Sequence, residues 1–433
     1  MKTILVLGAG FVAAPLVDYL CRKQYQLTVA SHLKHEADAV ADRFSNVTPI
    51  QLDVSDTEAL ANVIRAHDMV VSFVPFIFHE TVAEVCIAER RNLVTASYET
   101  ERMRSLDSKA RAAGVTIVNE IGLDPGIDHL SAMKIFDEIE SKGEILQSYV
   151  SWCGGLPAMS ANNNPLGYKF SWSPKSVLLA LLNDAKYILD DTVEIVPAEQ
   201  LLTRINSIEI TDELTLEGYA NRDSTTYVDS YHIPDAHKVL RGTLRYPGFC
   251  EIMQQFKALG LFDQTQEMIN QWQGKSWCDY ILYQSQQSMT ELRDSLSEHS
   301  RSAVDFLRLL QTDLIIMESE TILDSFCAYL TDKLSYEDGE SDMIVMQHEF
   351  ISQRADGQQL RRTSTLVIEG EPDGYSAMAK TVGTPAAIMT DMLIQKELTR
   401  TGVLLPMNRD IYDPILERLA VEGIAMEERT YTI

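Results

Sequence analysis

Over residues 1–130, short apolar runs alternate with stretches whose apolar positions recur at helical spacing. The runs are Ile4–Leu7, Leu27–Ala30, Thr48–Leu52, Met69–Val74, Leu93–Ala96 and Thr116–Val118, with helical patterns such as Ala13–Lys23 and Thr57–Arg65 between them. Strands buried on both faces read as continuous apolar runs, and strand–helix alternation at this spacing predicts a parallel, doubly wound α/β sheet. From about residue 145 the pattern changes. Polar loops rich in Gly, Asn and Pro appear at Cys153-Gly-Gly-Leu-Pro157 and Asn162-Asn-Asn-Pro-Leu-Gly167, with strand-like pieces such as Tyr227–Ile233. This predicts a second, α+β domain. Residues 251–335 carry helical spacing and read as a helical insertion. The acidic turn Glu337–Asp342 leads into strands at Met343–Ser352 and Arg362–Glu369, and a helix is expected to start at Pro385, since proline suits a first helical turn.

Composition narrows the possibilities. The 433 residues suffice for two or three domains, and 45% hydrophobic content marks a soluble globular chain. Against 37 basic residues stand 63 acidic ones, a formal charge of −26. That field repels phosphate backbones and anionic membranes, which argues against nucleic-acid or membrane partners. It leaves room for an anionic substrate, because a few buried arginines can dominate one cleft. The six cysteines are scattered, without C-x-x-C or metal-ligand spacing, so a reduced, cytoplasmic protein without a metal is expected. The N-terminal apolar run is too short for a signal-peptide core and ends in glycines; it reads as a first strand. No stretch approaches the ~20 apolar residues needed to span a bilayer.

Gly8-Ala9-Gly10-Phe11-Val12-Ala13 is G-x-G-x-x-A after a strand and opening a helix. The first glycine permits the tight turn, the second lets backbone approach a pyrophosphate, and the small third residue lets helix and strand pack closely. In this context a dinucleotide is expected, with a ligand-free tight turn as the alternative. After the second strand comes Ser31-His32-Leu33-Lys34-His35, where such folds usually carry an acid for the ribose 2′-hydroxyl. Ser31, His32 and Lys34 suit a 2′-phosphate better, which favours NADP while leaving NAD open. Lys34 and His35 can equally be the solvated start of a helix. Glu36 lies too far along the chain to be the usual ribose acid.

Ligands of doubly wound sheets lie beyond the carboxyl ends of the strands. Asp53-Val54, Phe73-Val74, Ala96-Ser97-Tyr98 and Asn119–Asp128 occupy such ends. Asp124, between Gly122 and Gly126, can receive a proton or hold an ammonium, or can be a plain Asp-Pro-Gly turn; Asp128 reads as a cap of the following helix. Tyr98 and Cys153 are candidate proton carriers, each with the ordinary alternative of a core residue. Two motifs, Asn221-Arg222-Asp223-Ser224 and Arg241-Gly-Thr-Leu-Arg245-Tyr246, offer arginines for bidentate carboxylate recognition, or an Arg222 pair with Asp223 or Asp229.

These motifs resemble one family. The strings L-G-A-G-F-V-A (7–13), T-A-S-Y (95–98), N-E-I-G-L-D-P-G-I-D-H (119–129), C-G-G-L-P (153–157), N-P-L-G-Y-K-F-S-W-S (164–173), N-R-D-S and R-G-T-L-R-Y, with Y-S-A-M-A-K-T-V-G-T-P-A-A (375–387) and G-V-L-L-P (402–406), are similar to saccharopine reductases, the glutamate-forming saccharopine dehydrogenases. The resemblance implies a Rossmann domain over 1–130 completed by 385–433, a substrate-binding and dimerisation domain over 131–250 and 336–384, and the insertion at 251–335. It implies a homodimer that converts saccharopine, NADP and water reversibly to glutamate, 2-aminoadipate 6-semialdehyde and NADPH. By motif, cofactor contacts fall on Gly8, Gly10, Phe11, Val12, Ser31, His32, Lys34, Asp53, Val54, Val74, Ala96, Ser97, Leu123, Asp124 and Pro125. Substrate contacts fall on Ser97, Tyr98, Asp124, Ser173, Arg222, Thr243, Leu244 and Arg245. Asp124, Tyr98 and Cys153 form the expected catalytic set. Where the family carries Arg-Thr after a small residue, this chain has His32-Leu33, which opens the question of cofactor preference. Other readings are a related imine reductase of polyamine synthesis, acting on a substrate such as carboxynorspermidine, and a catalytically silent dinucleotide sensor.

Overall fold

The six apolar runs become β1 (Thr3–Leu7), β2 (Gln26–Ser31), β3 (Val47–Gln51), β4 (Met69–Ser72), β5 (Asn92–Thr95) and β6 (Thr116–Val118) in the computed structural model, which describes residues 1–433. With a strand from the C-terminal segment, Gly402–Leu404, they form a seven-stranded sheet in the order Gly402–Leu404, β6, β5, β4, β1, β2, β3. Every pairing in it is parallel. Strand order reverses at β1, between β4 and β2, and that reversal opens a crevice at the carboxyl ends of β1 and β4.

Helix α1 (Ala13–Arg22) follows β1 directly and buries Leu16, Val17 and Leu20; α2 (Lys34–Ala41) follows β2. Against α1 lies the helix Ala377–Ile394, brought close by glycine: a Cβ on Gly383 would stand 2.7 Å from the Val12 carbonyl oxygen. This helix starts at Ala377, with the Ser376 hydroxyl accepting the Ala379 N–H, and Pro385 sits inside it, so the helix start expected at Pro385 is eight residues late. The cap outweighs the proline signal because a proline's missing donor costs one helical bond, whereas fifteen buried residues hold the rest of the helix.

By their contacts, Met1–Ile145 with Gly374–Glu428 form one compact unit, and Leu146–Asp373 with Arg429–Ile433 form another. The second contains a nine-stranded sheet whose main path runs Asn206–Thr211, Leu214–Ala220, Lys238–Arg245, Ile145–Pro157, Asp342–Gln353, Gln359–Glu369 and Glu427–Thr432. Helices between Phe249 and Lys333 bury a core of large side chains, among them Phe256, Trp277, Tyr280 and Phe326. Each such side chain contributes roughly 2–3 kcal/mol of transfer free energy.

Two local expectations fail here. Cys153–Pro157, read as a polar loop, is the end of the long buried strand Ile145–Pro157. Gly154 allows the neighbouring strand to approach: a Cβ there would meet the Leu244 carbonyl oxygen at 2.7 Å. Tyr227–Ile233, read as strand-like, opens with a helical turn at Tyr227–Ser230, and Tyr227 stacks on Tyr231 four residues on, with ring centroids 5.1 Å apart. Aromatic content signalled strand there, but the i,i+4 aromatic pair is a helical contact. No helix is long and apolar enough to cross a membrane.

Candidate active site

In the first unit, the turn after β1 is shaped by its glycines. Gly8 adopts φ +99°, and a Cβ on it would stand 2.9 Å from the Phe73 carbonyl group, so only glycine fits. A Cβ on Gly10 would meet nothing within 4 Å, which leaves its backbone open to a ligand. Val12 caps α1, and the Phe11 side chain is 74% exposed. The turn therefore fits a dinucleotide pyrophosphate on this geometry.

At the end of β2, the Ser31 hydroxyl donates to Glu36 Oε2 at 2.7 Å and accepts the Leu33 N–H at 3.2 Å. Lys34 pairs with Asp38 one turn along α2, and His32 is exposed. The Glu36 carboxylate thus returns to the strand end, although five residues separate it from Ser31. Beyond β3, the Asp53 carboxylate accepts the Ser55 N–H and hydroxyl, which hold its pKa below the usual range; Val54 follows it.

The ends of β4, β5 and β6 converge around one loop. Val74 is half-buried after β4, and Phe76 is 73% exposed beside it. After β5, Ala96 meets the loop Gly122–Gly126, because a Cβ on Gly122 would be 2.9 Å from Ala96 Cβ. That close approach carries Leu123, Asp124 and Pro125 alongside Ser97 and Tyr98, and the Tyr98 hydroxyl donates to Asp124 Oδ1 at 2.9 Å. Asp128 lies in the first turn of the helix Ile127–Ser141 and its carboxylate accepts the Gly126 N–H at 2.6 Å, reaching back from inside the helix instead of standing at its cap position. Beneath the loop, Glu120 Oε1 accepts the Glu99 N–H, and its other oxygen lies 2.8 Å from His129 Nε2; both side chains are buried.

His79, a residue the sequence motifs do not single out, lies beneath Ser97. Its Nε2 is 2.7 Å from the Ser97 hydroxyl, and burial pulls its pKa down to about 4. Only the fold could reveal it, since nothing in the surrounding F-V-P-F-I-F run signals burial of the following His.

The second unit holds the other residues. Cys153 is buried and lies opposite Thr243 on the parallel strand Lys238–Arg245. Two residues on, past Leu244, the Arg245 guanidinium is buried beside the adjoining rings of Tyr168 and Phe249, 5.1 and 5.2 Å from their centroids. Its Nη1 donates to the Leu244 carbonyl at 2.7 Å, its Nε has no partner, and no carboxylate pairs with it. Arg241 is engaged otherwise, with Nη1 on the Tyr227 hydroxyl and its guanidinium 4.3 Å from that ring's centroid. Arg222 sits at φ +55°, and its carbonyl accepts the Lys186 N–H. The Asp223 carboxylate accepts from Thr225 and faces Lys186 at 3.3 Å. Ser173 is exposed at the start of the helix Pro174–Ala180, its hydroxyl 2.9 Å from that of Ser176.

Known proteins are similar to this chain over nearly its whole length. Residues 4–118 match the family model described as the saccharopine dehydrogenase NADP binding domain, and residues 122–424 match the saccharopine dehydrogenase C-terminal domain. The chain belongs to the saccharopine dehydrogenase family. The NADP(+), L-glutamate-forming saccharopine dehydrogenase of Saccharomyces cerevisiae is 41% identical over 444 residues, covering 99% of each chain. The solved structure of the apo, histidine-tagged, L-Glu forming enzyme from that yeast superposes with a TM-score of 0.92 at 39% identity, covering 100% of both chains. The mitochondrial alpha-aminoadipic semialdehyde synthase of Bos taurus is 38% identical over 98% of this chain, and the chain spans about half of that relative's length, 47%. The glycine turn and crevice of the first unit thus form the NADP-binding domain of a saccharopine dehydrogenase family member.

Proposed function

We propose that the chain interconverts saccharopine and water with glutamate and 2-aminoadipate 6-semialdehyde, with NADP as the oxidant, in lysine metabolism. The observation that carries this reading is Arg245. A buried guanidinium without a carboxylate costs several kcal/mol, and a substrate carboxylate is the partner that offsets it. The rings of Tyr168 and Phe249 hold the fork in place while it waits. Saccharopine carries three carboxylates, so an acidic protein that handles it needs such cations; Arg222, Ser173 and Thr243 are assigned to the remaining polar groups.

Gly8, Gly10, Phe11 and Val12 would hold the pyrophosphate of NADP, with Ala96, Ser97 and Leu123–Pro125 along the crevice. When bound, NADP supplies the hydride acceptor. The residues of the chain handle protons. The bridging secondary amine must be neutral before it is oxidised, and the Asp124 carboxylate, already paired with the Tyr98 hydroxyl, is assigned the proton it sheds. Water then adds to the carbon of the resulting imine, and its proton passes through the same pair to the nitrogen. The C–N bond breaks as the carbinolamine hydroxyl gives its proton to the departing glutamate amine, leaving the aldehyde, and Asp124 returns the proton it first took to water. Cys153 is assigned a supporting part in this relay. A cytoplasmic location is supported by the scatter of the six cysteines along the chain, without the spacing of a disulfide framework. The homodimer rests on the family resemblance alone.

Steady-state oxidation of saccharopine with NADP, followed by absorbance of the reduced nicotinamide, tests the reading. Turnover is expected, with Arg245→Gln raising KM by about a hundredfold, the scale of a lost charge-assisted bidentate contact, and leaving the Kd for NADPH unchanged. Absence of turnover, or an unmoved KM, overturns the assignment.

A further inference from the structure

In dinucleotide folds the strand after the glycine turn ends beside the adenosine ribose, where a carboxylate holds a 2′-hydroxyl and a cation accommodates a 2′-phosphate. Ser31 is the last residue of β2 and is buried, and its hydroxyl is spent on Glu36 at 2.7 Å. Helix α2 begins at Lys34, so its first turn carries the Glu36 side chain back to the strand end in spite of the sequence gap. The cations nearby are balanced by acids. Lys34 is paired with Asp38, and exposed His32 lies close enough to Asp53 to help lower that carboxyl's pKa. The subsite therefore presents a fixed carboxylate and no arginine.

We propose that Glu36, anchored by Ser31, is a specificity-determining residue of the dinucleotide site. Its carboxylate opposes a 2′-phosphate and accepts a 2′-hydroxyl, so the chain binds the dinucleotide lacking that phosphate alongside the one carrying it. The proposal rests on the first unit being a dinucleotide site. A carboxylate and a phosphate about 5 Å apart near a protein surface repel strongly enough to change affinity about tenfold.

Fluorescence titration of the full-length protein with NADPH and with NADH tests this without turnover. The wild type is expected to bind both, with Kd values within about tenfold of each other. Glu36→Gln should tighten NADPH about tenfold and leave NADH equal or weaker, and His32→Arg should move the ratio the same way. If Glu36 only braces the start of α2, its replacement lowers stability and leaves the ratio of the two Kd values within twofold, which overturns the proposal. Should Glu36→Gln fail to fold by circular dichroism, the wild type decides alone: NADPH bound more than a hundredfold tighter than NADH also overturns it. If neither dinucleotide binds the wild type, the dinucleotide site itself is wrong and the proposal falls with it, an outcome distinct from both others.

Discussion

His79 shows how burial alone can set the state of a group next to a reactive crevice. With its pKa pulled to about 4 by desolvation, it is neutral at pH 7 and holds the Ser97 hydroxyl through Nε2. In the unfolded chain the same histidine titrates near 6.5. The folded pKa lies below the unfolded one, so its contribution to stability is fully present above about pH 6.5 and is lost as pH falls from there towards about 4. The whole contribution is about 3 kcal/mol, and about 1 kcal/mol of it disappears between pH 7 and pH 5.5. Urea denaturation at those two values keeps the protein above its pI of about 4.7. Wild type should lose about 1 kcal/mol more than His79→Gln across that interval. Equal losses would mean that the imidazole is not held neutral by burial.

Among elements, the contact between α1 and the helix Ala377–Ile394 bears most directly on the glycine turn. A Cβ on Gly383 would meet the Val12 carbonyl oxygen at 2.7 Å and the Leu16 nitrogen at 3.1 Å, both backbone atoms with little freedom to yield. Gly383→Ala should cost about 1–3 kcal/mol, the usual range for overpacking, and should weaken NADPH binding because Val12 opens the helix behind Gly10. Denaturation midpoints and a dinucleotide Kd read both effects; a neutral substitution would show that the helices separate easily. The strands of the first sheet were legible because buried parallel strands write themselves as apolar runs. Other elements depended on neighbours far along the chain. Gly154 looks like loop until Leu244 is seen pressing on it, and Pro385 looks like a helix start until Ser376 is seen capping the helix earlier. In the candidate site, Tyr98 and Asp124 were legible as separate strand-end residues. Their hydrogen bond was not, since it depends on Gly122 packing against Ala96. The hydrogen bond between Ser31 and Glu36 was not legible either, because distance along the chain is a poor guide where a helix turns back.

For the molecule as a whole, the charge of −26 says little about the reaction, and one buried guanidinium says much. The acidic surplus is spread along the chain, whereas Arg245 is held by two rings in a place where no carboxylate pairs with it. The order in which the chain is made also matters. The sheet of the first unit takes its edge strand from Gly402–Leu404, and α1 takes its packing partner from Ala377–Ile394. A ribosome reads these segments only after the whole of Leu146–Asp373. At about 5–20 residues per second, the first strands wait some ten seconds or more for their missing pieces. Nascent chains stalled near residue 370 should therefore be cut by protease within Met1–Ile145, while released full-length chains resist; protection of both would mean that the early segment stands alone. The β1 strand and its glycine turn thus leave the tunnel well ahead of the segments that complete them, so during synthesis the cofactor end of the sheet is left exposed and in need of a chaperone.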